Sequence, residues 1–376
     1  MNHWIEISES SLIHNITVLK KIIKNKKIGA VLKSNAYGHG IEVVASLLEK
    51  NNFDGCYFVS SLEEALVLRE KKIVSCKKEI ILLSELISNE LIEYCINNCI
   101  IPIVYSLIAL KIIDLYTKKN NKHISIHLKF ETGMHRLGIM NYDHEEVFSI
   151  IKHNSYIIVK GICSHCSEST LYETSLIQYQ KKKFDEIIAK FSLINNCFET
   201  HLSSSGGSDV LEHDYTLLRT GSSLYGLWKS DEHKKRVNEK YSIEYYPIMT
   251  WKSKIIDIKT VPAESYVGYS QSFKTQRESK IAFLPCGYYH GYSRLLSHKA
   301  GVIINGKYAP LCGFISMNMI TVDVTDIYDI GIDANVLLIS GLYEETKVDT
   351  LAKIIGVPNI TFTSCLSDSI KRISVD

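Results

Sequence analysis

Lys33 stands directly after a short apolar run in "GAVLKSNAYGHG", ahead of a loop of small residues that also holds Tyr37. A lysine where a buried strand ends is either a solvated cation or a nucleophile whose surroundings lower its pKa. Other residues able to do chemistry recur at the ends of later apolar runs. Lys129 and Arg136 flank the end of "ISIHLKF", and His165 lies in the closing residues of "VKGICSHC". Ser204, Ser205 and the glycine pair at Gly206 follow "FETH", while Arg219, Gly221 and neighbouring hydroxyls lie in "LLRTGSSLYG". Hydroxyls and unhindered backbone N–H groups of this kind cradle a phosphate. A lysine facing a phosphate held from two other strands suits pyridoxal phosphate. Taken singly, each arginine or histidine reads equally as a member of a structural network. Several at one rim shift the balance towards chemistry.

A rim requires strands that end together. The runs beginning at Ile28, Gly55, Glu79, Ile100, Ile124, Val159, Phe198 and Leu217 are short and apolar, and stretches such as "QYQKKKFDEIIAKF" between them carry helical spacing. Apolar runs alternating with helices indicate parallel strands covered by helices. Eight such units fit a closed (β/α)8 TIM-type barrel, in which chemistry gathers at the C-terminal rim. The texture changes after residue 232, where alternating segments such as "MTWKSKIIDIKTV" predict a mostly antiparallel β domain over residues 233–376. "NGK" at Asn305 is a hairpin turn signal. The barrel then occupies residues 1–232, with residues 1–8, which include "HWIEIS", able to join the β domain.

The chain has 376 residues, 45% hydrophobic and 22% charged, with a net charge of +2. That balance gives no reason to expect nucleic acid or a membrane surface as a partner. Basic runs such as "KKIIKNKK" fit solvated helix faces. Ten scattered cysteines without finger-like spacing read as reduced thiols. The first residues lack the apolar core of a signal peptide, and no apolar run reaches the ~18 residues of a membrane span. A soluble, cytoplasmic protein is the expectation.

The motifs together resemble the alanine racemase family of fold-type III pyridoxal-phosphate enzymes. "AVLKSNAYGHG", "HLKFETGMHRLG", "HLSSSGGSDVL", "LLRTGSSLYG", "VGYSQSF", "CGYYHGYSR" and "CGFISMNMITVDVTD" follow the family's order and spacing across essentially the whole chain. The resemblance implies that Lys33 binds the cofactor and serves as the base on one face of an amino acid. Tyr269 would be the base on the other face, delivered by the second subunit of a homodimer. Tyr37, Ser205, Gly221 and Ser222 would contact the cofactor phosphate, with Ser204 beside them. Arg219 would bond the pyridine nitrogen, and His165 would link it to Tyr269. Arg136 would orient the substrate carboxylate, held by Lys129, which is often carbamylated in the family. Met317 and Tyr288 would complete the substrate site and its entrance from the partner subunit. These types suit racemisation, which removes a proton from one face of a carbon and returns it to the other. A tyrosine with a pKa near ~10 needs cationic help to serve as a base at neutral pH.

The chain departs from the family pattern at Ser204, where asparagine is usual, and at His290, Ser316 and Asn318 near the substrate entrance. The tail aligns Asp368 with a tyrosine that many members place near phosphate and substrate. A polar residue there would suit a hydroxyl-bearing substrate such as serine, a second reading beside alanine. A related decarboxylase of basic amino acids shares the plan but supplies a cysteine where Tyr269 stands. A single-barrel carrier of the cofactor would need neither Tyr269 nor the β domain.

Overall fold

The computed structural model describes residues 2–24, 26–167, 175–195, 197–202, 204–205 and 215–376. The glycine pair at Gly206 lies outside the described residues. Strand β1 (His3–Ser8) is followed by eight strands that form one parallel sheet: β2 (Lys27–Val31), β3 (Cys56–Val59), β4 (Ile80–Leu82), β5 (Ile100–Val104), β6 (Ile124–Lys129), β7 (Ile157–Cys163), β8 (Glu199–His201) and β9 (Leu217–Thr220). Their order, β8-β7-β6-β5-β4-β3-β2-β9, is that of a ring. It closes where Thr216 N–H donates to Thr200 O (3.1 Å) at the start of β9. All eight apolar runs became barrel strands, because each is short and mostly buried and helices separate most of them.

Helices between the strands start at serines. Ser61, Ser88 and Ser106 each accept from the backbone N–H three residues on, satisfying a donor that the helix itself leaves open. The outer faces of the strands pack against helix residues such as Leu12, Leu19, Val44, Leu48 and Leu110, all fully buried. Burying each such side chain contributes about 1.5–3 kcal/mol. Inside the barrel one side is apolar, with Val31, Cys56, Phe58, Ile81, Ile101, Ile103, Cys163 and Leu217 in one cluster. The other side is polar. Lys27 pairs there with Glu79 and Glu199, and His127, His201 and Arg219 stack above them, all buried.

The rest of the chain is β-rich: β10 (Met249–Lys254), β11 (Asp257–Val261), β12 (Tyr266–Val267), β13 (Phe273–Lys274), β14 (Ser279–Leu284), β15 (Gly301–Ile304), β16 (Lys307–Pro310), β17 (Ile320–Asp323), β18 (Asn335–Ile339) and β19 (Arg372–Val375). A six-stranded sheet runs β16-β15-β18-β10-β1-β19, so β1 lies beside β10 and the last strand of the chain. A second sheet runs β11-β14-β17. The described ladders here are antiparallel except β1 with β19. Asn305 and Gly306 turn β15 into β16, both at positive φ (48° and 74°), as a tight hairpin between right-twisted strands requires.

Candidate active site

Lys33 follows the end of β2 and begins an unusual turn. Ser34, Asn35, Ala36 and Tyr37 all have φ between 51° and 54°, a left-handed turn made without glycine. L-residues resist this conformation by ~1–2 kcal/mol each, so the surroundings must hold it. Ala36 N–H donates to Leu32 O (2.8 Å), Asn35 N–H to Glu64 Oε1 (3.2 Å), and Gly40 N–H to Asn35 O (2.9 Å). The Asn35 side chain accepts from Ile41 N–H (2.7 Å), the first residue of the helix Ile41–Lys50, and donates to Asp368 (2.6 Å). Asn35→Ala should therefore cost about 1–2 kcal/mol through lost capping, read as a lower urea midpoint. An unchanged midpoint would remove Asn35 from this role.

The turn places Lys33 and Tyr37 in a cavity of about 800 Å³ at the C-terminal rim of the barrel. Lys129, Arg136, His165, Ser204, Ser205, Arg219, Gly221 and Ser222 line the same cavity. Burial lowers the Lys33 pKa, and the Arg136 charge lowers it further against the pull of Glu64. A lowered pKa brings such an amine closer to its unprotonated, nucleophilic form. Beside it, Ser205 Oγ accepts from Gly221 N–H (2.9 Å). A Cβ on Gly221 would come within 2.8 Å of the Tyr37 hydroxyl, so only glycine lets that hydroxyl approach. Ser222 Oγ is buried with no partner among the described residues. Hydroxyls converging on a side-chain-free backbone, one of them unsatisfied, fit a phosphate group.

Arg219 is fixed by acceptors on its terminal nitrogens. Nη1 donates to His201 O (3.0 Å) and His201 Nδ1, and Nη2 to Ser164 O (2.8 Å), Leu202 O (3.0 Å) and His165 Nδ1 (3.0 Å). No carboxylate is among its described partners, and its Nε–H has none. An arginine only donates, so His165 and His201 accept at Nδ1 and carry their protons on Nε2. His201 Nε2 then donates to His127 Nδ1 (2.8 Å). His127 in turn holds its proton on Nε2, a buried atom with no described partner. Its imidazole lies across Gly161, where a Cβ would sit 2.6 Å from the ring. The register shift between Ile126 and His127 brings Gly161 opposite it.

These imidazoles are neutral. Burial lowers the His127 pKa to about 3, with Lys27 and Arg219 adding to the effect. Burial likewise lowers His39 to about 4 and, with Arg219, holds His165 and His201 well below the ordinary value. The folded-state values lie below the unfolded one, so the unfolded chain takes up protons first as pH falls. Stability should therefore drop from about pH 6.5 downward, by ~2 kcal/mol per buried imidazole at pH 5. Melts at pH 7 and pH 5 test this, and equal midpoints would contradict it.

The cavity gathers ten of the residues expected from sequence and leaves four outside its described lining. Tyr269, Tyr288 and Met317 are exposed on the β-rich part of the chain. Their loops meet: Tyr288 N–H bonds Ser316 O (3.1 Å), Tyr289 N–H bonds Met317 O (3.0 Å), and Gly268 lies against Gly313. Asp368 is not in the described lining; it holds Asn35 instead, and Thr361, Ser364 and Cys365 supply the tail's share of the cavity wall. The tail forms a helix at Asn359–Ser364, so Ile360, Thr361 and Ser364 reach the wall from it and Cys365 from just beyond its end. His290 packs on His3, with ring centroids 4.5 Å apart. Sequence reasoning assigned no role to His127, His201 or Lys229. The two histidines stand at alternate positions of buried strands, "HLK" and "ETH", a signal for inward-facing polar groups.

A sequence model of the alanine racemase N-terminal domain matches residues 7–229, and one of the alanine racemase C-terminal domain matches residues 248–374. An alanine racemase of Leptospira interrogans serogroup Icterohaemorrhagiae serovar copenhageni is 34% identical over 381 residues, covering 99% of this chain and 96% of its own. One of Clostridium kluyveri is 34% identical over 362 residues, covering 94% of this chain and 89% of its own. The solved alanine racemase of Clostridium difficile 630 is similar with a TM-score of 0.90 at 27% identity, covering 100% of this chain and 96% of that one. A Bartonella henselae alanine racemase with covalently bound pyridoxal phosphate is similar with a TM-score of 0.84 at 25% identity, covering 100% of both chains. With its two domain models matched in order and its barrel rim carrying the family's motifs, this chain belongs to the alanine racemase family.

Proposed function

We propose that this protein interconverts L- and D-alanine with pyridoxal phosphate as its cofactor, and that it works as a homodimer with shared sites. The observation that carries the reading is the single cavity where a nucleophilic Lys33 faces the Ser205–Gly221–Ser222 cradle and the carboxylate-free Arg219. Family membership supports alanine as the substrate, since the relatives are alanine racemases. When bound, the cofactor makes the α-proton of an amino acid acidic.

The chain's own residues do the rest. Lys33 Nζ, its pKa lowered by burial, takes or returns a proton on one face of the α-carbon. Arg136 orients the substrate carboxylate, and Lys129, at the same rim, holds Arg136 in place. Arg219, whose Nε–H has no partner among the described residues, would donate to the ring nitrogen of the bound cofactor without protonating it. His165 presents its Nε2–H, the donor that would favour a phenolate at Tyr269 Oη on the opposite face. Tyr269 is 66% exposed in its own chain, outside the described cavity lining, which supports its delivery across a subunit boundary. No described helix is long and apolar enough to cross a membrane.

The direct test is purified protein with L-alanine. Solvent exchange of the α-proton with loss of optical activity and no release of carbon dioxide is expected. Release of carbon dioxide would instead mark a decarboxylase.

A further inference from the structure

The cavity lining is one-sided in charge. Lys33, Lys129, Arg136, Arg219 and Lys229 all reach it, and no acidic side chain is among its described lining residues. Four of these cations have a place in the reading above. Lys229 has none, yet it is partly buried, and it has no ion pair among the described residues. An unpaired cation in a cavity wall is costly unless an anion completes it.

Lys229 lines the same cavity as Ser205, Gly221 and Ser222, and burial and then the Lys33 charge lower its pKa. Chain connectivity ties it to the cradle. From Gly221 and Ser222 the backbone closes two turns, Leu224 N–H to Gly221 O (2.9 Å) and Leu227 N–H to Ser222 O (2.9 Å). Tyr225 Oη ties this segment to Val31 O (2.6 Å), just before Lys33, and Asn359 Nδ2 ties Trp228 O (2.7 Å) to the tail helix. Lys229 therefore follows an anchored segment that leads out of the cradle, and it lines the same cavity. The described donors of the cradle, hydroxyls and backbone N–H groups, are neutral. A phosphate monoester carries nearly two negative charges at neutral pH.

We propose that Lys229 is a phosphate-binding residue, its Nζ donating to an oxygen of the phosphate that Ser205, Gly221 and Ser222 cradle. The proposal rests on the pyridoxal phosphate reading and adds to it a cation specific to the phosphate end.

The test titrates cofactor-stripped protein with pyridoxal phosphate and, separately, with pyridoxal, which keeps the aldehyde and lacks the phosphate. Absorbance of the bound chromophore reports binding without any need for turnover. Lys229→Met, which keeps the apolar stem, should weaken pyridoxal phosphate by about tenfold or more, the size of one charge-assisted hydrogen bond. Its affinity for pyridoxal should stay within about twofold, and Lys229→Arg should restore most of the loss. Equal affinity of Lys229→Met and wild type for pyridoxal phosphate overturns the proposal and leaves the cofactor reading standing. An equal loss for both ligands also overturns it, since the effect would then be structural. A wild-type protein that binds no pyridoxal phosphate brings down the cofactor reading, and this proposal with it.

Discussion

Lys33→Ala should lose racemase activity by more than about 10⁴-fold, because one side chain supplies both cofactor attachment and proton transfer on one face. The wild-type protein should carry a visible chromophore that borohydride bleaches, leaving the label on Lys33. Lys33→Ala should hold the cofactor, if at all, without covalent attachment. Its fold should survive, since Lys33 makes no described hydrogen bond or ion pair, and its amine is disfavoured as a cation where it stands. Substantial racemisation by Lys33→Ala, or borohydride labelling elsewhere, would overturn the assignment. Circular dichroism and melting of the variant separate loss of chemistry from loss of structure.

Tyr269→Phe should lower racemisation in both directions by ~10²–10⁴-fold, the usual worth of one positioned acid–base group. Turnover needs both faces, so losing either base stops the cycle. Exchange of the α-proton with solvent should survive on the face served by Lys33, and the variant should therefore exchange one enantiomer faster than it racemises it. The subunit question has a sharper test. Unfolding and refolding Lys33→Ala with Tyr269→Phe in equal amounts should recover activity if the bases of one site come from two chains. Half of the dimers are then mixed, and each mixed dimer has one intact site, so recovery should approach about a quarter of wild type. No recovery, with mixed dimers verified by mass, would mean that each chain supplies both bases itself. The exposure of Tyr269, Tyr288 and Met317 on one region of the β-rich part supports the shared arrangement.

Much of this was legible in the chain because its signals are local. Eight apolar runs of about strand length, separated by helical periodicity, became β2–β9, and Asn305–Gly306 became the hairpin between β15 and β16. Hydrophobic period and turn chemistry act over a few residues, so they can be read without neighbours. Eight of the ten expected residues that line the cavity were likewise read at strand ends, since a parallel barrel brings all such ends to one rim; Tyr37 and Ser222 came from the family resemblance.

What the sequence by itself determined was the barrel, the β-rich remainder and the residue types at the rim. The tertiary structure decided the rest. The left-handed turn after Lys33 contradicts the local preference of most of its residues, and beside its local bonds it is held by Glu64 and Asp368, which bind Asn35 from distant parts of the chain. The tail helix likewise puts Thr361 in the cavity wall, while Asp368 bonds Asn35 two residues after Lys33. The proton positions on His165, His201 and His127 follow from Arg219, which must donate and so dictates each acceptor in turn. Lys229 became a candidate ligand only when the fold showed a cation facing a cavity with no anion to meet it. Contacts between residues far apart in sequence have no periodicity to betray them; they exist only once the chain has closed.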